Sequence, residues 1–140
     1  MIFCGGWLSF NGEMGKGGWG RTRLSEILPV VCGDVEDLVE NTEGFALEPE
    51  LSEHPILEGV DLRTAPPILG YNRTKLRLGA DLLATWRGGR DPAIAAAAFG
   101  KGRVLCYTSD PAPHWGCNFV FWEGYAGFWS NACDWVAGHR

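Results

Sequence analysis

The sequence predicts a single α/β domain, and three observations support that prediction. The chain opens on an apolar run, residues 1–4, which two glycines end, as is typical of a strand buried on both faces of a sheet. Two later apolar runs flank a tight turn at residues 100–102 and indicate a hairpin. An amphipathic pattern over residues 120–137 predicts a long helix. A length of 140 residues suits one domain with its own core, so we assign residues 1–140 to one domain.

The stretch after the first strand is rich in glycine and then forms a short helix. Residues 12–20 hold too many glycines for a helix and lack the order of a phosphate-binding P-loop, so we expect a mobile loop. A short helix through Leu24 and Leu28 is stopped by Pro29, and an extended segment follows.

The middle of the chain alternates between weak and clear patterns. Residues 32–51 are polar and show no clear period, and residues 54–60 indicate a turn or a one-turn helix. The strand candidates are residues 68–75, 81–86, 93–99 and 103–108, of which the last two form the hairpin.

The C-terminal helix carries an aromatic stripe. Its apolar positions follow helical spacing: Phe121, Tyr125, Phe128, Ala132 and Trp135. Gly138 ends the helix. We interpret the stripe as core or as a subunit contact rather than as a cofactor site.

Composition and charge exclude several classes of protein. The chain is 46% hydrophobic and 21% charged, and no apolar run approaches the roughly 18–20 residues that a membrane span needs. The N-terminus lacks the basic region of a signal peptide, so we expect a cytoplasmic protein with no membrane partner. A net charge of −5 argues against nucleic acid as a partner.

The cysteine pattern points to no metal or disulfide chemistry. The five cysteines are scattered, without a CxxC pair, and an odd number does not suit a disulfide framework. We therefore expect reduced thiols, no metal site and no cofactor.

Three stretches in order resemble one known family. They are GGWLSFNGEMGKGGWGRTRLSEILPV, PPILGYNRTKLRLGADLLATW, and FGKGRVLCYTSDPAPHWG followed by FWEGYAGFWSNACDWVAG. The chain resembles the glutamine amidotransferase-like family, a branch of the class I glutamine amidotransferase-like superfamily. The resemblance implies a flavodoxin-like three-layer sandwich with a mostly parallel central sheet, helices on both faces and an added antiparallel hairpin.

The resemblance also implies that the chain is truncated at its N-terminus. Family members carry further strands and helices ahead of the strand at residues 1–4, which would make this chain the C-terminal portion of the domain. An apolar strand at residue 1 also needs neighbours on both edges. We therefore expect the chain alone to aggregate or to fold only partly.

The resemblance places a strand-to-helix elbow after the first strand, where class I amidotransferases carry a nucleophilic cysteine. Trp7 occupies that position here, and tryptophan cannot attack a carboxamide. Cys4 lies within the strand, where burial would raise its pKa, so we interpret it as a core residue. The ligand-binding candidates at the strand ends are Gly5, Gly6, Trp7, Ser109 and Trp115.

A second candidate chemistry uses polar residues after the late strand. The superfamily places a His-x-Glu pair there, whereas this chain has Ser109, Asp110 and His114 without the glutamate. Ser9, Asp110 and His114 are the residue types of a hydrolase triad and are our catalytic candidates, although no GxSxG elbow is present.

Three functions stay open at this point. The leading hypothesis is a glutamine amidotransferase-like domain that lacks the nucleophile and serves as a binding or assembly module for a small-molecule ligand. The second is a hydrolase of a small ester, amide or sugar derivative that uses Ser9 or His114. The third is a structural domain that forms homo-oligomers through its aromatic helix.

Overall fold

A computed structural model describes residues 1–139 and contains one five-stranded sheet. The strand order is β1-β9-β8-β7-β4. Its members are β1 (Ile2–Cys4), β4 (Leu47–Pro49), β7 (Asp81–Trp86), β8 (Pro92–Phe99) and β9 (Gly102–Tyr107).

Two shorter strand pairs and two α-helices complete the regular structure. Antiparallel pairs form between β2 (Val30–Cys32) and β6 (Thr74–Leu76), and between β3 (Leu38–Phe45) and β5 (Ile68–Asn72). The helices are α1 (Leu24–Ile27) and α2 (Tyr125–Ala137). Short 3-10 turns cover Glu13–Gly15, Trp19–Arg21, Pro55–Leu57, Leu62–Thr64 and Phe119–Phe121.

Both faces of the central sheet are covered, because its strands direct apolar side chains alternately to one face and to the other. In β9, Leu105 and Tyr107 belong to the core cluster that includes residues of α2, whereas Cys106 belongs to the opposite cluster around Phe10 and Leu28. Successive side chains of a strand point to opposite faces, so one run of apolar residues serves both cores. The strand expected to be buried on both faces, at residues 1–4, contacts both cores, because Ile2 and Cys4 pack against one cluster and Phe3 against the other, but its residues are only half-buried.

The expected mostly parallel sheet is not what the described strands form. The β1–β9 pair is parallel, and the other three pairings of this sheet are antiparallel. The reason is local: short turns at residues 87–91 and 100–101 join β7, β8 and β9, and a short turn can only return the chain antiparallel. The architecture is therefore mixed α/β with a mostly antiparallel sheet.

Most predicted strands are confirmed, with two differences. The hairpin is present as β8–β9, and residues 81–86 form β7. The candidate at residues 68–75 is divided at Arg73 into β5 and β6, which pair with different partners. The stretch 32–51, which showed no pattern, contains β3 and β4.

The C-terminal helix ends where predicted but begins later. Gly138 adopts φ 83 and ends α2. The predicted start at residue 120 is wrong because residues 119–121 form a 3-10 turn, and Gly124 lies beneath the ring of Trp122, where a Cβ would come within 2.3 Å of the ring. Phe121 is 84% exposed and does not belong to the buried stripe.

Helix α2 is part of the core of this chain. Phe128, Ala132 and Trp135 are buried in the larger cluster, as the core interpretation of the stripe predicts. No helix among residues 1–139 is long and apolar enough to cross a membrane.

Strand β1 has one partner among the described strands. It pairs with β9, and its three residues are only half-buried. An unpaired strand edge presents free N–H and C=O groups that favour association. The expectation that the chain alone aggregates stays a prediction.

Helix α2 also fixes a turn that contains a half-buried histidine. His54 Nδ1 accepts a hydrogen bond from the Ile56 N–H at 3.2 Å, and the His54 ring packs 5.2 Å from Trp135. Asn131 of α2 donates to the carbonyls of Ile56 and Glu58. The pKa of His54 is lowered, mainly by burial, while Asp81 opposes this effect and Arg103 adds to it.

We expect the free energy of unfolding to fall as the pH drops below about 6.5, the ordinary histidine pKa. The unfolded chain binds the His54 proton more readily than the folded chain, so the contribution is present above that pH and is lost below it. His54→Asn retains an acceptor for the Ile56 N–H and should flatten this part of the pH dependence in urea denaturation. His139→Asn, at an exposed site, should leave the slope intact; an unchanged slope in His54→Asn would contradict the assignment.

Candidate functional site

The carboxyl end of β1 makes a sharp elbow that only glycine can form. The Gly5 N–H donates to the carbonyls of Tyr107 (2.9 Å) and Ser109 (2.8 Å). A Cβ on Gly5 would lie 2.5 Å from the Thr108 oxygen and 2.6 Å from Asn72 Oδ1. The backbone of the elbow is thus held directly against the end of β9.

The buried side chain of Asn72 connects the elbow to β5. Its Oδ1 accepts from the Gly6 N–H at 2.8 Å, and its Nδ2 donates to the Gly6 carbonyl at 3.1 Å. The same Nδ2 lies within donating distance of the Ser9 carbonyl and of Asp37 Oδ1, at 3.3 and 2.8 Å. One amide therefore replaces the strand pairing that the elbow backbone lacks.

The buried Asp37 carboxylate holds the backbone of the loop that follows the elbow. It accepts hydrogen bonds from the N–H groups of Asn11 (2.8 Å) and Gly12 (2.9 Å) as well as from Asn72. The register of β3 against β5 sets Leu38 opposite Asn72, so Asp37 immediately precedes the paired residues. A buried carboxylate is stable only when such donors surround it.

Trp7 directly follows the elbow and contacts the Glu40 carboxylate of β3. Trp7 is 51% exposed, and its Nε1 donates to Glu40 Oε1 at 3.1 Å. Trp115 donates to the same oxygen at 2.6 Å. The Trp7 ring also meets the His114 ring edge to face, with centroids 5.0 Å apart.

Trp115 reaches Glu40 because β5 has no side chain at the intervening position. Gly70 is paired with Glu40, and a Cβ there would lie 2.6 Å from the Trp115 ring. The indole, 2% exposed, therefore lies against the β5 backbone. A cavity of about 370 Å³ opens beside it, lined by Glu40, Asn41, Thr42, Leu69, His114 and Trp115.

A histidine–aspartate pair borders the same cavity. His114 Nδ1 lies 3.1 Å from Asp110 Oδ2, at hydrogen-bonding distance. Asp110 Oδ1 accepts from the Ala112 N–H at 2.7 Å, and its side chain is 14% exposed. Asp110 is thus fixed by its own loop and orients the more exposed imidazole.

Two ionisable groups in this region have shifted pKa values. The indole donors Trp115 and Trp7 hold the pKa of the Glu40 carboxyl below its usual value, with a smaller effect from His114. Burial, assisted by the Asp110 charge, raises the pKa of the Cys4 thiol to about 11. Glu40 is therefore a carboxylate at neutral pH, and Cys4 is a protonated thiol.

The structure brings some of the sequence candidates together and separates others. Trp7 and Trp115 both donate to Glu40, and His114, which pairs with Asp110, lines the cavity with Trp115. Gly5 and Gly6 form the elbow that precedes Trp7. The Ser9 hydroxyl forms no hydrogen bond with Asp110 or His114 within residues 1–139. The Ser109 hydroxyl is buried and donates to the Gly70 carbonyl at 2.6 Å, so it supports β5 from below.

Sequence reasoning missed three residues of the site: Glu40, Asp37 and Asn72. Asn72 could have been noticed as an amide at the end of the apolar run ILGYN. Glu40 and Asp37 lie in the polar stretch without a period, where nothing distinguishes them from surface carboxylates.

The described residues contain no group of three or more His, Cys, Asp or Glu side chains that could hold a metal ion. The aromatic and ionisable groups of the site are the Trp7 and Trp115 indoles, the Glu40 and Asp110 carboxylates and the His114 imidazole.

The parallel β1–β9 pair, the glycine elbow and the polar cluster at the strand ends are features of α/β proteins that bind ligands at the carboxyl edge of a sheet. A family model described as "Putative glutamine amidotransferase" matches residues 1–138, and the chain belongs to this family.

Two solved structures are similar to this chain over nearly its full length. They are Cytoplasmic Protein STM1381 from Salmonella typhimurium LT2, at 38% identity, and Cytoplasmic Protein STM3548 from Salmonella typhimurium, at 35% identity. Each comparison has a TM-score of 0.89 and covers 96% of this chain and 54% of the solved chain. The chain thus spans about half the length of each relative. Among curated proteins, none matches the chain.

We expect Asn72→Ala to lower the free energy of unfolding by about 2–4 kcal/mol, because it leaves buried polar groups of the elbow and of Asp37 without a partner. Urea denaturation measures this change. Asn41→Ala, on exposed β3, should cost less than about 0.5 kcal/mol. Equal effects of the two substitutions would show that the elbow does not depend on Asn72.

Proposed function

We propose that this chain is a binding domain of the glutamine amidotransferase-like family that does not hydrolyse glutamine and that takes a small-molecule ligand beside Trp7, Glu40 and His114. The observation that carries the proposal is the side chain at the elbow. Trp7 stands half-exposed where the resemblance places the nucleophile, and its indole N–H donates to Glu40. An indole in that position can contact a ligand but cannot form a covalent intermediate.

The nearest thiol supports the same proposal. Cys4 belongs to β1 and packs against the larger core cluster, and its pKa of about 11 leaves almost no thiolate at neutral pH. The neighbouring Asp110 carboxylate disfavours the thiolate further. A nucleophilic cysteine needs the reverse environment, with a cation or a base beside it.

We expect purified protein to release no glutamate from glutamine, and Cys4→Ser to behave in the same way as the unmodified chain. Glutamate production over time measures this. Cys133→Ser, at an exposed thiol, is the matched control. Glutamate release that is lost in Cys4→Ser and retained in Cys133→Ser would overturn the proposal.

A second candidate function, hydrolysis of a small ester, amide or sugar derivative, is favoured by one specific contact. His114 Nδ1 lies 3.1 Å from Asp110 Oδ2. A general-base histidine needs a carboxylate at this distance to orient its ring. Against it, the Ser9 hydroxyl has no hydrogen bond to that imidazole within the part of the chain that the structure describes.

The hydrolase candidate predicts that a fluorophosphonate probe labels Ser9 and that His114→Gln abolishes the labelling. Peptide mass spectrometry of the labelled chain measures both. His139→Gln is the control, because that histidine lies at the far end of α2. Folded protein that stays unlabelled would remove the serine version of this candidate.

We also propose a flavodoxin-like architecture for the domain and a role of its sheet edge in assembly. We propose that the parallel β1–β9 pair belongs to a flavodoxin-like sandwich to which the antiparallel strands are an addition. The edge of β1 that has no strand partner within residues 1–139 would serve assembly.

A further inference from the structure

We propose that the ligand of the cavity beside Trp115 is an organic cation, bound through an ammonium group that Glu40 of the lining and the neighbouring Trp7 ring contact together. This inference rests on the proposed function and specifies the chemical class of its ligand. Its support comes from the charge of the site, from the fixed geometry of Glu40 and from the exposure of Trp7.

The charge of the cavity favours a cation and disfavours an anion. Its lining contains the Glu40 carboxylate, and the Asp110 carboxylate lies directly behind His114. The lining residues include no lysine or arginine. A ligand carboxylate or phosphate would be repelled by both carboxylates, whereas an ammonium group would be attracted to both.

Glu40 is held in one orientation and retains an acceptor. Oε1 receives both indole N–H groups, at 2.6 and 3.1 Å, while Oε2 has no hydrogen bond within residues 1–139. Two donors on one oxygen prevent the carboxylate from rotating away, so a ligand does not have to order it. The same donors keep the carboxyl ionised, because they lower its pKa.

The aromatic contribution comes from Trp7. Trp115 is buried against Gly70. Trp7 is half-exposed and contacts two lining residues of the cavity: it donates to Glu40, as Trp115 does, and its ring meets His114. An indole that donates its N–H to a carboxylate has a more electron-rich ring, which strengthens attraction to a cation at its face. A carboxylate and an indole side by side thus offer an ammonium group both a charge-assisted hydrogen bond and a cation–π contact.

A neutral polyol is the main alternative, since sugars also stack on indoles and donate to carboxylates. The two ligands differ in their need for the charge of Glu40: a hydroxyl loses little when the carboxylate becomes an amide, whereas an ammonium loses its counter-charge. Replacing Glu40 with glutamine therefore separates them.

The test is an NMR titration of the indole N–H signals of the full chain at constant ionic strength. The probes are propylammonium, propionate and glucose. We expect propylammonium to shift the Trp7 and Trp115 signals saturably. Glu40→Gln should weaken its binding about tenfold, and Glu43→Gln, at an exposed position of the same strand, should not change it.

A second pair of variants tests the ring. Trp7→Leu should weaken propylammonium binding about two- to fivefold, and Trp7→Phe should weaken it less, because a phenyl ring still offers a cation–π contact. These substitutions lie at an exposed position, so the fold should tolerate them.

The outcomes separate an error in the ligand class from an error in the proposed function. Saturable binding of glucose or propionate without propylammonium would show that the ligand class is wrong while the proposed binding function stands. No saturable shift with any of the three probes, or equal effects of Glu40→Gln and Glu43→Gln, would also overturn the inference. Glutamate release from glutamine, measured separately, would overturn the proposed function and not the charge preference of the cavity.

Discussion

The contact between the Asn72 amide and the Asp37 carboxylate is the interaction on which the site depends. The elbow after β1 leaves the sheet, so its backbone groups lose their strand partners and need others. Asn72 provides a donor and an acceptor to Gly6, and Asp37 takes the N–H groups of Asn11 and Gly12. Both side chains are buried, where an unmade hydrogen bond is most costly. The loop conformation is therefore set from its interior.

The proposed binding surface is an outer layer built on that network. Glu40 and Asp37 lie on the same strand region, and Gly70 and Asn72 lie on the strand paired with it. The register that joins Asp37 to Asn72 therefore also sets Glu40 over Gly70, where Trp115 packs. One β3–β5 register thus determines both the buried support and the exposed contacts, and a slip of one residue would destroy both.

Sequence patterns predicted the elements that bury apolar residues in a regular period. The β8–β9 hairpin and the end of α2 at Gly138 follow from local spacing. Asp110 and His114 were candidates because of their place after β9, and the structure sets them at hydrogen-bonding distance. Strand β3 could not be predicted from the sequence, because its exposed residues show no apolar alternation and its position is set by pairing with β5. The partners of Glu40 lie 33 and 75 residues away, which no local pattern can indicate.

The same elbow can serve catalysis or binding, and the groups around it decide between them. A nucleophile requires a thiolate at the tip and a base beside it, which means positive charge or a proton acceptor in contact with sulfur. Here the Cys4 thiol lies within β1 and its pKa is raised. The residue at the tip is Trp7, whose indole is hydrogen-bonded to the Glu40 carboxylate. Negative charge around the tip opposes a thiolate or an oxyanion, which are the intermediates of amide hydrolysis. It stabilises a cation in the same place, so the features that argue against glutaminase chemistry are those that favour an ammonium ligand.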